Sequence, residues 1–388
     1  MVSSSRVADS LGVLDKALCN REKVVIAYSG GKDSTALALL VLDWTVSRKR
    51  SLNVVLLHGD TLSEIFEMEH WARGFAKAYI EMLSEQGSEG EIIVSRPEPC
   101  ESFYWRVFVR GYPASTFSWR WCVDLLKRKP SNRILREISR DAIMLLGHRD
   151  SESSARARSL SSRTGSCNLS PGSCYSYYLS LDGDIEKIYP IRGWSDEDVW
   201  SYLRAWRNRL GILDNLFRLY GYGLIKARYG CWHCTLVKIQ LGHEVLGGGY
   251  MYFEAVRKIY RAVSDMAELR AAKDSGYSRH GFLLAPARSL ILNSILVAER
   301  LSGIRLYGLD ESRIDGYSLR EIFVEMPSQE ADKLVKKVEE ENRGDLKRVV
   351  SMEELRDIDR HRKDLEKIWK HRLVKNDKHI EEIIDLLL

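Results

Sequence analysis

One stretch constrains the fold more than any other. Val24-Val25-Ile26-Ala27-Tyr28 runs into Ser29-Gly30-Gly31-Lys32-Asp33-Ser34, and then directly into Thr35-Ala36-Leu37-Ala38-Leu39-Leu40-Val41. A short run of apolar and small residues suits a buried parallel strand, two glycines allow a tight turn, and the Ala/Leu-rich continuation suits a helix. Such a strand, turn and helix make a phosphate cradle. Without Cβ atoms at Gly30 and Gly31 the backbone N–H groups can approach phosphate oxygens, and the dipole and open N–H groups of the new helix favour negative charge. Ser29 and Ser34 add hydroxyl donors, and Lys32 adds a point charge.

The spacing differs from the GxxxxGKS/T of the common P-loop, in which Lys follows a longer loop. SGGKDS resembles instead the signature of the PP-loop ATP pyrophosphatases, also called adenine nucleotide alpha hydrolases. The resemblance implies that Ser29, Gly30, Gly31, Lys32, Asp33 and Ser34 hold ATP with Mg2+, with Lys32 and Asp33 as catalytic groups. It also implies cleavage between the α- and β-phosphates, so that an acceptor oxygen is adenylylated and pyrophosphate leaves.

Further strand signals lie at 54–57, 91–96 and 142–146, with a short one at 188–191. A leading helix is expected within 1–21 and an amphipathic helix over roughly 62–86. Strand–helix alternation with short turns predicts an α/β fold built on a doubly wound, mostly parallel sheet. Asp60 follows the second strand, at the edge where open α/β sheets bind ligands, which makes it a candidate contact for the nucleotide or its metal. The fourth strand runs into Gly147-His148-Arg149-Asp150-Ser151-Glu152-Ser153-Ser154-Ala155-Arg156. Arg149 and Arg156 can clamp phosphate oxygens and Glu152 can orient a guanidinium; a structural ion-pair network is the other reading.

Positive charge is concentrated in the same region. Thirteen Lys/Arg face six Asp/Glu over 101–163, against fifteen and sixteen from Ser328 to the end, so an anionic substrate would be steered to the middle of the chain. Arg110-Gly111-Tyr112-Pro113, Phe117-Ser118-Trp119-Arg120-Trp121-Cys122 and Leu125-Leu126-Lys127-Arg128-Lys129-Pro130 interleave cations with aromatics, which either stack on bases or fill a core. The order RGYP, RWC, LK, P resembles the phosphoadenosine phosphosulfate (PAPS) reductase superfamily, especially its branch of DNA phosphorothioation (Dnd-type) ATP pyrophosphatases. Gly147 to Arg156 is similar to that superfamily's GxRxxESxxR element. This implies a nucleotide pocket that includes Gly147 and Glu152, with Arg149 and Arg156 on the anionic acceptor. Trp194-Ser195-Asp196-Glu197-Asp198-Val199-Trp200 opens a helix with Ser195 as N-cap and acids on its dipole, a structural role.

Seven cysteines scattered through a chain of 388 residues do not suggest a secreted disulfide framework. Cys231-Trp232-His233-Cys234 can hold a metal or cluster, and by itself fits zinc, an iron–sulfur cluster or a redox dithiol. Adenylyl-sulfate reductases carry a Cys-Cys pair and a GCxxCT element around a four-iron cluster. That resemblance implies Cys122, Cys231 and Cys234 as ligands of a 4Fe-4S cluster, with Trp121 in place of the pair's first member. Cys174 or Cys167 would be the fourth ligand, or one iron stays open; zinc with His233 or a loop cysteine is the alternative. Sulfonucleotide reductases use a cysteine near the C-terminus, and no cysteine follows Cys234.

The expected organisation is an N-terminal helix (1–21), a PP-loop domain (22–240) with a Ser/Gly-rich loop at 159–183, a helical domain (241–327) and a charged helical tail (328–388). Helices are expected at 253–271, 285–301, 330–342 and 352–372, with a last short one after them. No apolar run of eighteen residues occurs, and the N-terminus has no signal-peptide pattern, so no membrane span and a cytoplasmic location are expected. The expected activity is ATP-dependent sulfur transfer, with nucleic acid (DNA or transfer RNA) as acceptor and a sulfur donor such as a cysteine desulfurase as partner. A sulfonucleotide reductase and a non-catalytic nucleotide-binding protein are the alternatives.

Overall fold

The computed structural model describes the chain except for residues 1–3, 139–141, 166–174, 183–184, 226, 228, 272–280, 342–361, 373 and 388. Two compact units divide it. One comprises Met1–Gly59, Phe66–Ser95 and Ser131–Lys226; the other comprises Asp60–Ile65, Arg96–Pro130 and Ala227–Leu388.

The first unit is a sheet with flanking helices. Its elements run α1 (Ser4–Leu18), β1 (Lys23–Tyr28), α2 (Lys32–Arg48), β2 (Asn53–Gly59), α3 (Phe66–Glu85), β3 (Glu89–Ser95), α4 (Lys129–Ile138), β4 (Ile143–Leu146), α5 (Ser154–Ser161), β5 (Leu179–Asp182), β6 (Ile185–Ile188), α6 (Asp196–Arg207) and α7 (Leu213–Leu219). The strand order is β3-β2-β1-β4-β6-β5; every neighbouring pair is parallel except β5 with β6. From β1 the chain builds outward through β2 and β3, then returns to the other side of β1 with β4. Because Ala27 pairs with Leu146, the turns that follow β1 and β4 open on the same sheet edge, at the point where the winding reverses.

Parallel strands are covered on both faces, which is why β1 and β2 are continuous apolar runs rather than alternating ones. Val25, Val55, Leu57 and Met144 pack with Leu135 of α4. Helix α2 is buried continuously from Ser34 to Leu42, as expected of a helix that is apolar all round. Helix α6 begins with the expected cap: Asp198 N–H donates to Ser195 Oγ (3.1 Å), and Ser195 N–H donates back to Asp198 (2.8 Å).

Two expectations change. The stretch 159–183 is not simply a loop: its described residues include the end of α5, a 3-10 turn at Tyr175–Tyr178 and the antiparallel edge strand β5. Cys167 and Cys174 lie outside the described residues. The strand expected at 188–191 is β6, which stops at Ile188; Pro190 has no N–H to donate to a ladder.

The second unit is mainly helical. It contains a single turn at Trp121–Val123, α8 (Leu241–Leu246), α9 (Tyr250–Asp265), α10 (Ala285–Ser302), α11 (Tyr307–Glu311), the ribbon β7 (Arg313–Ile314) with β8 (Tyr317–Ser318), α12 (Ser328–Glu341), α13 (Arg362–Trp369) and α14 (Lys378–Leu387). The helix expected at 253–271 is α9, which stops at Asp265; that expected at 352–372 is described only as α13. Among the described residues no helix is long and apolar enough to cross a membrane.

Candidate functional site

The turn after β1 is held open by its own small residues. Gly30 takes φ +71°, and a Cβ there would sit 2.6 Å from Ala72 Cβ, so the position excludes a side chain on two counts. Its carbonyl accepts from Trp71 Nε1 at 2.7 Å. Ser34 Oγ donates to Gly31 O (3.0 Å) and accepts from Ser29 N–H (3.2 Å), which ties the two ends of the turn together. The N-cap of α2 is Gly31, with no side-chain cap, so the first turn of the helix meets an incoming anion with its own N–H groups. Gly147, just past β4, crosses this turn so closely that a Cβ would lie 3.0 Å from the Asp33 carbonyl carbon and oxygen.

Arg149 is 1% exposed and braces the turn from beneath. Its Nε donates to Asp33 Oδ1 (2.7 Å), Nη1 to Ser151 Oγ (2.7 Å) and Trp194 O (3.2 Å), and Nη2 to Asp196 Oδ1 (2.9 Å). The same Asp196 oxygen lies 3.2 Å from Lys32 Nζ, and Lys32 also stands 5.7 Å from the Tyr220 ring centroid. Burial raises the pKa of Asp196, but Lys32 and Arg149 outweigh it and hold the carboxyl below its ordinary value. The carboxylate therefore occupies Lys32 in the way a phosphate oxygen would, and an anion entering the turn must compete with it. Asp196→Asn is expected to tighten binding of inorganic pyrophosphate in metal-free buffer about fivefold, the ~1 kcal/mol of a half-exposed ion pair. Isothermal titration calorimetry reads this directly; unchanged binding would remove Asp196 from the competition.

Glu152 accepts from Arg149 N–H (3.0 Å) and lies 3.4 Å from Arg156 Nη2. Arg156 is partly exposed, and its Nη1 stands 3.5 Å from His148 Nε2, an arrangement that requires the unprotonated ring nitrogen. Burial, with help from Arg156, pushes the His148 pKa down to about 3. Of the two arginines, Arg156 reaches solvent and Arg149 does not.

Asp60, Cys122, Cys231 and Cys234 belong to the second unit. Asp60 is 1% exposed; its Oδ1 accepts from Leu62 N–H (2.9 Å) and its Oδ2 from Arg96 Nε (2.9 Å), which braces the 60–65 turn. That turn pairs with the CxxC: Trp232 N–H donates to Ser63 O (2.9 Å), and Cys231 Sγ lies 3.2 Å from Thr61 Oγ1 and 3.9 Å from Glu64 Oε1. Lys127 Nζ lies 3.5 Å from Glu64, whose charge raises the lysine pKa. Burial and Glu64 push the Cys231 thiol well up, and burial also raises Cys122. His233 Nε2 lies 3.1 Å from Ser63 Oγ, its ring stacks on Phe103 at 3.5 Å, and burial pushes its pKa down to about 3.

The donor sets answer differently to the two expected inorganic groups. Mg2+ normally takes one or two carboxylates and completes its shell with substrate phosphates and water; the carboxylates at the turn are Asp33 and Asp196, both paired with Arg149. Among the described residues no three His, Cys, Asp or Glu side chains stand together as metal ligands. Cys122, Cys231 and Cys234 do not stand together as a ligand group, and Cys167 and Cys174 lie outside the described residues, so the described residues do not form a preformed 4Fe-4S or zinc site.

Sequence reading missed Asp196, Tyr220, Ser151, Glu64 and Lys127 as members of these clusters. For Asp196 a signal existed: a carboxylate directly after the N-cap Ser195. Lys127 and Ser151 lie within the quoted LK and Gly147–Arg156 elements, whereas nothing local marks Tyr220 or Glu64.

A family model described as "Phosphoadenosine phosphosulfate reductase domain" matches residues 23–237. No curated protein matches the sequence. Among solved structures, the chain is similar to a phosphoadenylyl-sulfate (PAPS) reductase from Candida auris in a phosphate complex, at 17% identity over 61% of this chain and 98% of that one, TM-score 0.34. It is also similar to the U34-tRNA thiolase NcsA from Methanococcus maripaludis with its 4Fe-4S cluster, at 15% identity over 71% of this chain and 83% of that one, TM-score 0.32.

Proposed function

Because the chain belongs to the phosphoadenosine phosphosulfate reductase domain family, we propose that it is an ATP-dependent sulfurtransferase of the PP-loop type, nearest in its motifs to the DNA phosphorothioation branch. The observation that carries this reading is the uncapped turn 29–34 at the point where the sheet's winding reverses, with Lys32 over it and Gly147 close beneath. The turn and the first N–H groups of α2 hold the triphosphate, Asp33 and Asp196 offer carboxylates to Mg2+, and Arg149 keeps both in place. Arg156, which reaches solvent, is the cation left to meet the acceptor.

The acceptor oxygen attacks the α-phosphorus and pyrophosphate leaves, with Lys32 stabilising the charge that develops. Hydrosulfide then displaces AMP, so the acceptor's C–O or P–O bond is replaced by a bond to sulfur. The acceptor is nucleic acid, DNA or transfer RNA, in keeping with the basic surplus over 101–163. Sulfur comes from hydrosulfide or from a partner such as a cysteine desulfurase.

The test is product analysis with ATP labelled at the α- and γ-phosphates, Mg2+, sulfide and either nucleic acid. AMP and pyrophosphate are expected, with Lys32→Ala lowering their formation about 100-fold or more. ADP and phosphate, or no product, would end the reading. Family membership favours one competitor, a sulfonucleotide reductase working with a thiol donor. It would show itself as thioredoxin-dependent sulfite release in the same preparations.

A further inference from the structure

In the second unit, large aromatic side chains are left in solvent beside arginines. Phe117 is 75% exposed, Trp119 42% and Phe282 41%. Trp119 and Phe282 are joined through Tyr112, and Phe117 stands two residues before Trp119 on the same turn. Tyr112 lies between partners at 5.6 Å (Trp119, 37° between planes) and 5.2 Å (Phe282, 19°).

The support is built in. Thr116 and Trp119 exchange backbone hydrogen bonds at 3.2 Å each way, which closes a tight turn with Phe117 and Ser118 at its tip. Trp121 is buried beneath, donates Nε1 to Pro113 O (2.9 Å) and meets Tyr112 edge-on at 5.1 Å. Leu283 N–H donates to Gly111 O, which holds the segment carrying Phe282 against the segment carrying Tyr112.

The charge along the segment that carries Tyr112, Phe117 and Trp119 is mostly positive. Over residues 102–130 six Lys/Arg face a single acid, Asp124; Arg128 pairs with Asp124 at 2.8 Å, Lys127 with Glu64 and Lys129 with Glu101, so the cations beside the rings are the arginines of this stretch. The Arg106 and Arg120 guanidinium carbons stand 5.2 and 5.3 Å from the Tyr112 and Phe117 ring centroids. Exposed rings flanked by cations suit a ligand that is flat and apolar on its faces and anionic along its backbone. A protein partner that buried the rings alone would leave this positive surplus unmatched.

We infer that Phe117, Trp119, Tyr112 and Phe282 form a stacking platform for unpaired bases of a single-stranded nucleic acid segment, with Arg106 and Arg120 holding its phosphates. A duplex keeps its base faces stacked on one another and cannot use such a platform. This inference rests on the reading that the acceptor is nucleic acid, and it narrows that acceptor to a loop, an end or an opened strand.

The test is fluorescence anisotropy on the full chain without ATP, using dye-labelled oligo(dT), oligo(U) and a duplex of about twelve nucleotides, within the usual site size for stacking folds. Single strands are expected to bind more tightly than the duplex. Phe117→Ala and Trp119→Ala should each weaken single-strand binding about tenfold, Trp119→Phe should restore most of it, and the dependence on salt should stay that of the wild type because no charge is removed. A preference for oligo(U) or oligo(dT) tells RNA from DNA. Equal binding of the double alanine variant, or a preference for duplex that ignores these substitutions, would overturn the platform. Both rings are exposed, so an unchanged thermal melt is expected as the control for folding. Binding without pyrophosphate formation would leave the platform standing and sink the catalytic reading; pyrophosphate formation on duplex with no single-strand binding would do the reverse.

Discussion

Arg149→Met is expected to destabilise the sheet unit by about 3–5 kcal/mol, the usual effect of removing one partner from a buried charge network. The side chain is 1% exposed and holds two carboxylates, Asp33 and Asp196, as well as the Trp194 carbonyl. Without the guanidinium, two acids face each other across the turn with only Lys32 to balance them. Methionine restores the volume and not the five donors, so the loss reads out electrostatics rather than packing. Adding Asp196→Asn to this variant should recover part of the stability, since it removes one of the stranded charges. Urea unfolding followed by tryptophan fluorescence measures all three proteins. A loss below about 1 kcal/mol, the size of an exposed pair, would mean that Arg149 does not brace the turn.

Acid should unfold the protein from an unusually mild pH. His148 in the sheet unit and His233 in the helical unit are held neutral by burial, each with a folded pKa of about 3 against an ordinary value of 6.5. Between those values the unfolded chain binds a proton at each position and the folded chain does not. Stability is therefore intact above about pH 6.5 and falls as pH drops toward 3, by up to about 1.4 kcal/mol per pH unit for each histidine. Carboxylates act in the same direction at lower pH. At Glu69 burial raises the pKa, but His58 and Arg73 outweigh it; at Glu254 Arg257 and His243 do the same. Both acids stay charged in the fold below their ordinary 4.5, and their contribution is lost as they protonate. Denaturant melts at pH 7.5, 6.0 and 5.0 should show the decline, and His148→Asn or His233→Gln should each flatten it. Equal stability at the three pH values would exclude neutral burial of either ring.

How much of this was legible depended on the distance along the chain over which each feature is made. The turn 29–34 is local: strand, two glycines and helix start are contiguous, and the geometry at Gly30 follows from residues within the motif and from Ala72. The cap of α6 is local too, since Ser195 and Asp198 satisfy each other. The pairing of β5 with β6 was not legible, because a four-residue edge strand in a Ser- and Tyr-rich stretch carries too little alternation to stand out. Asp60 shows the same limit from the other side. Its place after a parallel strand marked it as a ligand contact, whereas Arg96 and the Leu62 N–H already engage its carboxylate.

The cysteines divide in the same way. The CxxC turn can be read directly, but whether Cys122 joins it as a ligand depends on how 96–130 packs with 227–388, and the packing leaves free thiols beside Lys127 and Glu64. By itself the sequence determined the α/β sheet, the glycine turn 29–34 and the cap of α6, because these arise from periodicity, backbone freedom and hydrogen bonds among near neighbours. Only the tertiary structure decided that Asp196 competes for Lys32, that Arg149 is a buried brace, and that Phe117 and Trp119 face solvent while Trp121 does not. Those outcomes depend on which distant side chains meet and which are left in water, and no local pattern carries that information.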